Sequence, residues 1–235
     1  HPAASLPVAV LGDGSSLLNS DESFRVAGGN QGVAHELARR LGPAVHLSTA
    51  VQAITWSDDH VTVRAGGLDV AADRAVLAIP ARLMGQIACD PPLPAWKQAA
   101  LAGVAYGHAA KLAVPLHEAT GPSATLSVPD HFWTWTAKGA DGAVAPVANC
   151  FAGSAPALAE LGVTAGPGRW LDRLAWLRPD LALAPEGAVL TTWDDDPWIG
   201  ASYSAALTGP PRQPAELIRA VGPLRFAGEH TAGVH

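Results

Sequence analysis

The run Arg74-Ala75-Val76-Leu77-Ala78-Ile79-Pro80 constrains this chain more than any other stretch. It is nearly continuously apolar, the pattern of a strand covered on both faces rather than one with a solvent side. Such a strand needs a parallel neighbour and covering helices. The chain can supply a core: 235 residues, 49% apolar and 15% charged, exclude overall disorder and suit one sizeable domain or two small ones.

The rest of the pattern is mixed. Val33, Leu37, Ala38 and Leu41 recur on one helical face, and Gly42-Pro43 stops that helix. Short strands are predicted at Val45–Leu47 and Val51–Trp56. A hairpin follows, with Val61, Val63 and Ala65 alternating before Gly66-Gly67 and a further strand at Leu68. Pro91-Pro92-Leu93-Pro94 marks a connection into a helix at Ala95–Leu101. Strands are predicted at Ala110–Pro115, His131–Lys138 and Val144–Phe151, and helices at Ala155–Leu161 and Gly168–Leu177. A strand at Ala188–Trp193 and a last short one at Leu224–Ala227 complete the reading. In His131–Lys138, Phe132, Thr134 and Thr136 share one side and Trp133 and Trp135 the other. Those tryptophans fit either sheet packing or the lining of a substrate cavity.

Charge and cysteine usage narrow the class. A net charge of −6 leaves no broad footprint for nucleic acid. No apolar run approaches the roughly 20 residues of a membrane span. Pro2–Leu11 lacks a basic flank and holds Pro7, so it does not read as a signal peptide. Cys89 and Cys150 form no CxxC pair and read as two independent thiols in a reducing compartment, the cytoplasm. The chain opens on His1 rather than Met, so its start reads as a processed or cloned end. Lys97, Lys111 and Lys138 are the only lysines, so each calls for an explanation.

Chemistry concentrates at the end of the chain. Leu224-Arg225-Phe226-Ala227-Gly228-Glu229-His230-Thr231-Ala232 is a strand, a glycine turn, an acid and a hydroxyl. The glycine admits a ligand close to the main chain, and the acid can accept hydrogen bonds from sugar or polyol hydroxyls. Other constellations carry less. His230 and His235 lack a third metal ligand, and Asp194-Asp195-Asp196 fits no EF-hand loop, so no metal is expected. Gly12-x-Gly14 is not GxGxxG, and no GxSxG nucleophile elbow occurs.

Taken in order, Phe24–Asn30 before a helix, Val51-Gln52-Ala53-Ile54, the hairpin, Ala72–Pro80, Pro91–Pro94, Trp193–Tyr203 and FAGEHTA form a specific string. It resembles the flavin-containing amine oxidase family, from about Phe24 to Ala232. The resemblance implies an α/β fold with α+β character. A partial FAD-binding Rossmann-like domain (residues 24–88 and 196–235) is interleaved with a mixed-sheet substrate domain (1–23 and 89–195). It also implies FAD-dependent oxidation of an amine to an imine, with oxygen reduced to hydrogen peroxide.

By the same resemblance the main chain of Val51 meets the FAD adenine, and Gly228 and Glu229 lie against the ribityl and pyrophosphate. Ser202 stands where members with covalent flavin carry cysteine, so FAD would be held noncovalently. Lys111 matches the lysine that holds a water beside the flavin. Its neighbours Ala110 and Leu112 suggest a desolvated ammonium with a lowered pKa. Tyr203 matches an aromatic that flanks the substrate amine; a core tyrosine is the other reading. Trp193 and Trp198 are expected to pack. Arg25 and Arg82 cannot be assigned as a clamp for a substrate carboxylate.

The sequence departs from the family at both ends. The GxGxxG strand-turn-helix is absent, and the chain stops at Gly233-Val234-His235, where the family continues with a helix bearing a second aromatic. Three explanations follow: a fragment whose missing segment or second chain carries GxGxxG, a degenerate cofactor-free binding or structural module, or an unrelated α+β domain. The ordered motifs favour the fragment. An unpartnered copy would expose apolar surface and associate into homo-oligomers.

Overall fold

The computed structural model describes residues 26, 28–139, 142–205 and 214–232. The sequence readings for the first twenty residues, Arg25, the loop at Gly209-Pro210-Pro211 and the end at Gly233–His235 lie outside the described residues.

Helix α1 spans Gln31–Leu41 and ends where Gly42 takes φ 52° ahead of Pro43. None of its described side chains is buried; Val33, Leu37 and Leu41 are all exposed. The strand predicted at Val45–Leu47 does not form. A 3-10 turn covers Gly42–Ala44, and Leu47 stands in solvent with no ladder to join. Strands β1 (Val51–Trp56), β2 (Val61–Ala65), β3 (Leu68–Ala72), β4 (Ala75–Leu77) and β5 (Ala88–Asp90) follow. Helix α2 is Ala95–Ala102, and β6 is Ala105–Gly107. Then come β7 (Ala110–Pro115), β8 (Ala124–Ser127), β9 (Phe132–Lys138) and β10 (Val144–Ala152). Helices α3 (Ala155–Glu160) and α4 (Gly168–Leu177), β11 (Val189–Thr192), β12 (Tyr203–Ala205), α5 (Pro214–Ile218) and β13 (Leu224–Phe226) complete the order.

Two compact units result, each made of two stretches: His46–Gly107 with Trp193–His235, and His1–Val45 with His108–Thr192. In the first, β3-β2-β1-β5 form a mixed sheet, antiparallel except for the parallel pair β1–β5. Strand β4 pairs in parallel with β13, and β6 pairs antiparallel with β12. Ile54, Val61, Leu77, Met84, Leu224 and Phe226 build the core. Residues 89–107, grouped by sequence with the substrate part, pack in this unit because Leu93 and Leu101 join that core.

The apolar run that dominates the sequence is a strand for only three residues. Val76 is 65% exposed, against the expectation of burial on both faces, and β4 pairs with β13 on one side alone among the described residues.

In the second unit, five strands run in the order β11-β7-β10-β9-β8, all antiparallel. One face, with Leu112, Val114, Phe132 and Cys150, packs on Ala157, Leu158, Trp170 and Leu174 of α3 and α4. Phe132 meets Trp170 edge to face at 5.8 Å. Ser154 caps α3 by accepting a hydrogen bond from the Ala157 N–H. Both cysteines are free thiols, and burial pushes Cys150 up to about 11.

Candidate functional site

The Phe226-Ala227-Gly228-Glu229 corner is made by backbone geometry. Gly228 has φ 128°, and a Cβ there would stand 3.1 Å from Cε1 of His230. Only glycine combines that conformation with that close approach. A 3-10 turn over Glu229–Thr231 follows. The Thr231 hydroxyl donates to the Gly228 carbonyl at 2.7 Å and locks the corner. Both Glu229 carboxylate oxygens accept from Ser204: the backbone N–H at 3.1 and 3.2 Å, the hydroxyl at 2.7 Å. Glu229 thus braces the corner against β12.

The preceding residues on β12 and its approach complete a cavity of about 210 Å³, lined by Ile79, Pro80, Ser202, Tyr203, Gly228 and Glu229 among others. Ser202 is set by its N–H bond to the Gly107 carbonyl, 3.2 Å. The Tyr203 ring, 39% exposed, covers the α-carbon of Gly107, where no side chain would fit. Its orientation is therefore fixed by packing while its outer face stays open. So the structure brings together four predicted residues, Ser202, Tyr203, Gly228 and Glu229, from two distant stretches.

Val51 belongs to the same unit but does not line that cavity. It opens β1 opposite Ala65, and the register slips between Val51 and Ala53. The parallel partner β5 reaches only as far as Ala53, so among the described residues Val51 is paired on the β2 side alone.

Lys111 lies in the other unit, on β7. Its cross-strand neighbours are Thr191 and Phe151; Phe151 is in turn opposite Trp133. The next row carries Ala113, Asn149 and Trp135. These residues share the sheet face opposite the helix-covered core, and Lys111 is exposed. The desolvation expected from Ala110 and Leu112 is not there: strand alternation turns both neighbours into the core and Lys111 away from it. The threonines of β9 are buried and its tryptophans half-buried, so Trp133 and Trp135 are not packed into the core. Trp193 and Trp198, expected to pack, are 40% and 67% exposed. Asp196 serves locally, its carboxylate accepting from the Trp198 N–H at 2.7 Å. Arg82 lies over Gly200.

Three residues were missed in the sequence. Lys97 is fully buried and donates to the Glu216 and Leu217 carbonyls at 2.7 and 2.9 Å. Its Nζ lies 3.8 Å from the Phe226 ring centroid. Burial lowers its pKa to about 8. A lone lysine inside the apolar helix α2 was the available signal. Ser204, which holds Glu229, carried none. His230, weighed only as a metal ligand, is buried and lines the cavity. A larger apolar cavity of about 570 Å³, between Met84, Ile87, Leu93, Leu101 and Tyr106, contains none of the predicted site residues.

Residues 7–235 match the family described as flavin containing amine oxidoreductase. The chain belongs to that family. Putrescine oxidase of Kocuria rosea is 36% identical over 105 residues, covering 39% of this chain and 22% of that protein. A structure of putrescine oxidase bound to putrescine superposes with a TM-score of 0.77 at 24% identity, over 90% of this chain and 50% of that one. Cyclohexylamine oxidase from Brevibacterium oxydans superposes at 0.70 and 21%, over 86% and 47%. These superpositions establish the shared fold, and the chain spans about half the length of those solved relatives. No helix among the described residues is long and apolar enough to cross a membrane.

The family implies a flavin. The cavity at Gly228 suits part of such a molecule. The glycine leaves the main chain open, and the volume is below the roughly 300–1,000 Å³ that encloses a whole drug-sized ligand. It can take one stretch of a dinucleotide.

Proposed function

We propose that this chain is part of an FAD-dependent amine oxidase that converts an amine to an imine and reduces oxygen to hydrogen peroxide. The observation that carries the reading is the single cavity uniting Ser202, Tyr203, Gly228 and Glu229. The unit built from residues 46–107 and 193–235 would serve FAD, and the sheet of residues 108–192 the substrate. FAD, when bound, supplies acceptance of the hydride equivalent from the amine.

This chain's own residues then bind and orient. Gly228 and Glu229 face the ribityl–pyrophosphate stretch, with Ser204 fixing the carboxylate. The Val51 main chain, at the start of β1, meets the adenine. Ser202 offers a hydroxyl and no thiol, so attachment is noncovalent. Tyr203 presents a ring face to the substrate nitrogen. Lys111, beside Phe151 on the open sheet face, holds a water for the reaction centre. A segment or second chain bearing GxGxxG would receive the pyrophosphate. The exposed Val76 and the uncovered apolar face of α1 support the fragment reading over a self-sufficient module.

The test is FAD titration of the chain, alone and joined to a GxGxxG-bearing segment, followed by the flavin band near ~450 nm, which is the cofactor's own. Binding, bleaching by an amine without oxygen, and peroxide on admitting oxygen are expected. Lys111→Met should slow flavin reduction or reoxidation. A chain that stays colourless in both forms rejects the reading in favour of the cofactor-free module.

A further inference from the structure

Two rows of side chains cross the five-stranded sheet on the face opposite its core. In one, Lys111 stands next to Phe151, then Trp133, then Leu126. In the next, Ala113 is followed by Asn149 and Trp135. Phe151, Trp133 and Trp135 are half-buried, and Leu126 is exposed. An antiparallel sheet ordinarily turns polar residues away from its core; this one turns three aromatic rings that way. From β11 to β8 neither row holds a carboxylate, and Lys111 is their one charged residue.

Resting on the amine oxidase reading above, we propose that Trp133 and Trp135 are specificity-determining residues that select a monoamine with an apolar body over a diamine. Beyond the reacting nitrogen, an alkyl or aryl body gains by leaving water against the rings. A second amino group, like a lysine side chain, is charged near neutral pH. Against this face it gives up hydration and meets no opposite charge. Lys111 stands two strand spacings from Trp133, about 10 Å, and repels it. The indole faces attract a cation, yet the same faces cover an uncharged chain without that desolvation cost.

The experiment compares wild type, Trp135→Glu and Trp133→Ala in whichever form of the full chain oxidises amines, alone or joined to the GxGxxG segment. The probes are hexylamine, hexamethylenediamine of equal chain length, and ethylamine, with kcat/KM read from peroxide formation. Wild type should favour hexylamine over the diamine by at least about tenfold. Trp135→Glu supplies the missing carboxylate and should shift that ratio toward the diamine by about tenfold or more. Trp133→Ala should lower the ratio of hexylamine to ethylamine about tenfold, because the shorter amine has little chain to lay on an indole. Each ratio compares two substrates in one protein, so a loss of folded enzyme cancels. Wild type that takes the diamine as well as hexylamine overturns the inference and leaves the amine oxidase reading standing. So do ratios that neither substitution moves. Wild type that oxidises none of these amines in either form removes the amine oxidase reading itself, and the inference with it.

Discussion

Lys97 shows how a single side chain can be structural and titratable at once. Its ammonium ties α2 to the carbonyls ending α5, and Phe226 of β13 lies against it. Desolvation is the main cause of its depressed pKa, the Arg219 charge adds to it, and Glu216 opposes. The folded value, about 8, is below the ordinary 10.5, so between these values the unfolded chain binds the proton that the native state has released. Stability contributed by this group therefore rises as pH climbs through that window and is flat below it. The slope approaches about 1.4 kcal/mol per pH unit. Urea unfolding of wild type and Lys97→Met at pH 7.5 to 10 checks this, since other titrations cancel in the difference. A stability difference that does not grow in favour of wild type above pH 8 would sink the assignment.

At the scale of elements, strand β9 separates what sequence periodicity reveals from what it hides. Alternation of Thr134 and Thr136 with Trp133 and Trp135 is plain in the sequence, and the strand forms where expected. Which face turns inward is not encoded by hydrophobicity here, because the threonines take the core side. Thr136 can do so because hydrogen bonds satisfy it. The Thr136 hydroxyl accepts from the Ser123 N–H at 2.9 Å and donates to the Gly121 carbonyl at 3.0 Å. Thr134 receives only a long bond from the Cys150 thiol, 3.5 Å. Thr136→Val should therefore cost about 1–3 kcal/mol through the loss of two hydrogen bonds, while Thr134→Val should cost under about 1 kcal/mol. Chemical denaturation of both variants measures the contrast, and equal costs would refute it.

The desolvation expected of Lys111 fails for a related reason. Chain neighbours of a strand residue report the opposite face, so apolar flanks at Ala110 and Leu112 speak for the core and not for the lysine. Signals carried by backbone geometry were legible: the glycine stop at Gly42 and the Gly228 corner both stand where the sequence put them. Signals that depend on distant partners were not, as with the Ser204 brace on Glu229 and the burial of Lys97.

For the whole molecule, the unresolved balance is apolar surface. Strand β4 has β13 on one side, and its central residue Val76 points outward beside Arg225 in the parallel register. The backbone edge away from β13 and the exposed valine together offer a template for another strand. In the fragment reading that strand belongs to the GxGxxG segment; without it, a second copy is the available partner. Val76→Glu tests this directly. At an exposed position the change should alter folding stability by no more than about 0.5 kcal/mol. A carboxylate near Arg225 is tolerated across the strand pair, where opposite charges are worth about 0.2–1 kcal/mol. Edge pairing, in contrast, would bring two such charges and their hydration into a buried seam. Sedimentation should show concentration-dependent association in wild type and a shift toward monomer in Val76→Glu, together with weaker capture of an added GxGxxG segment. If both proteins associate alike and capture the segment equally, the open side of β4 is not the surface that a GxGxxG-bearing segment covers.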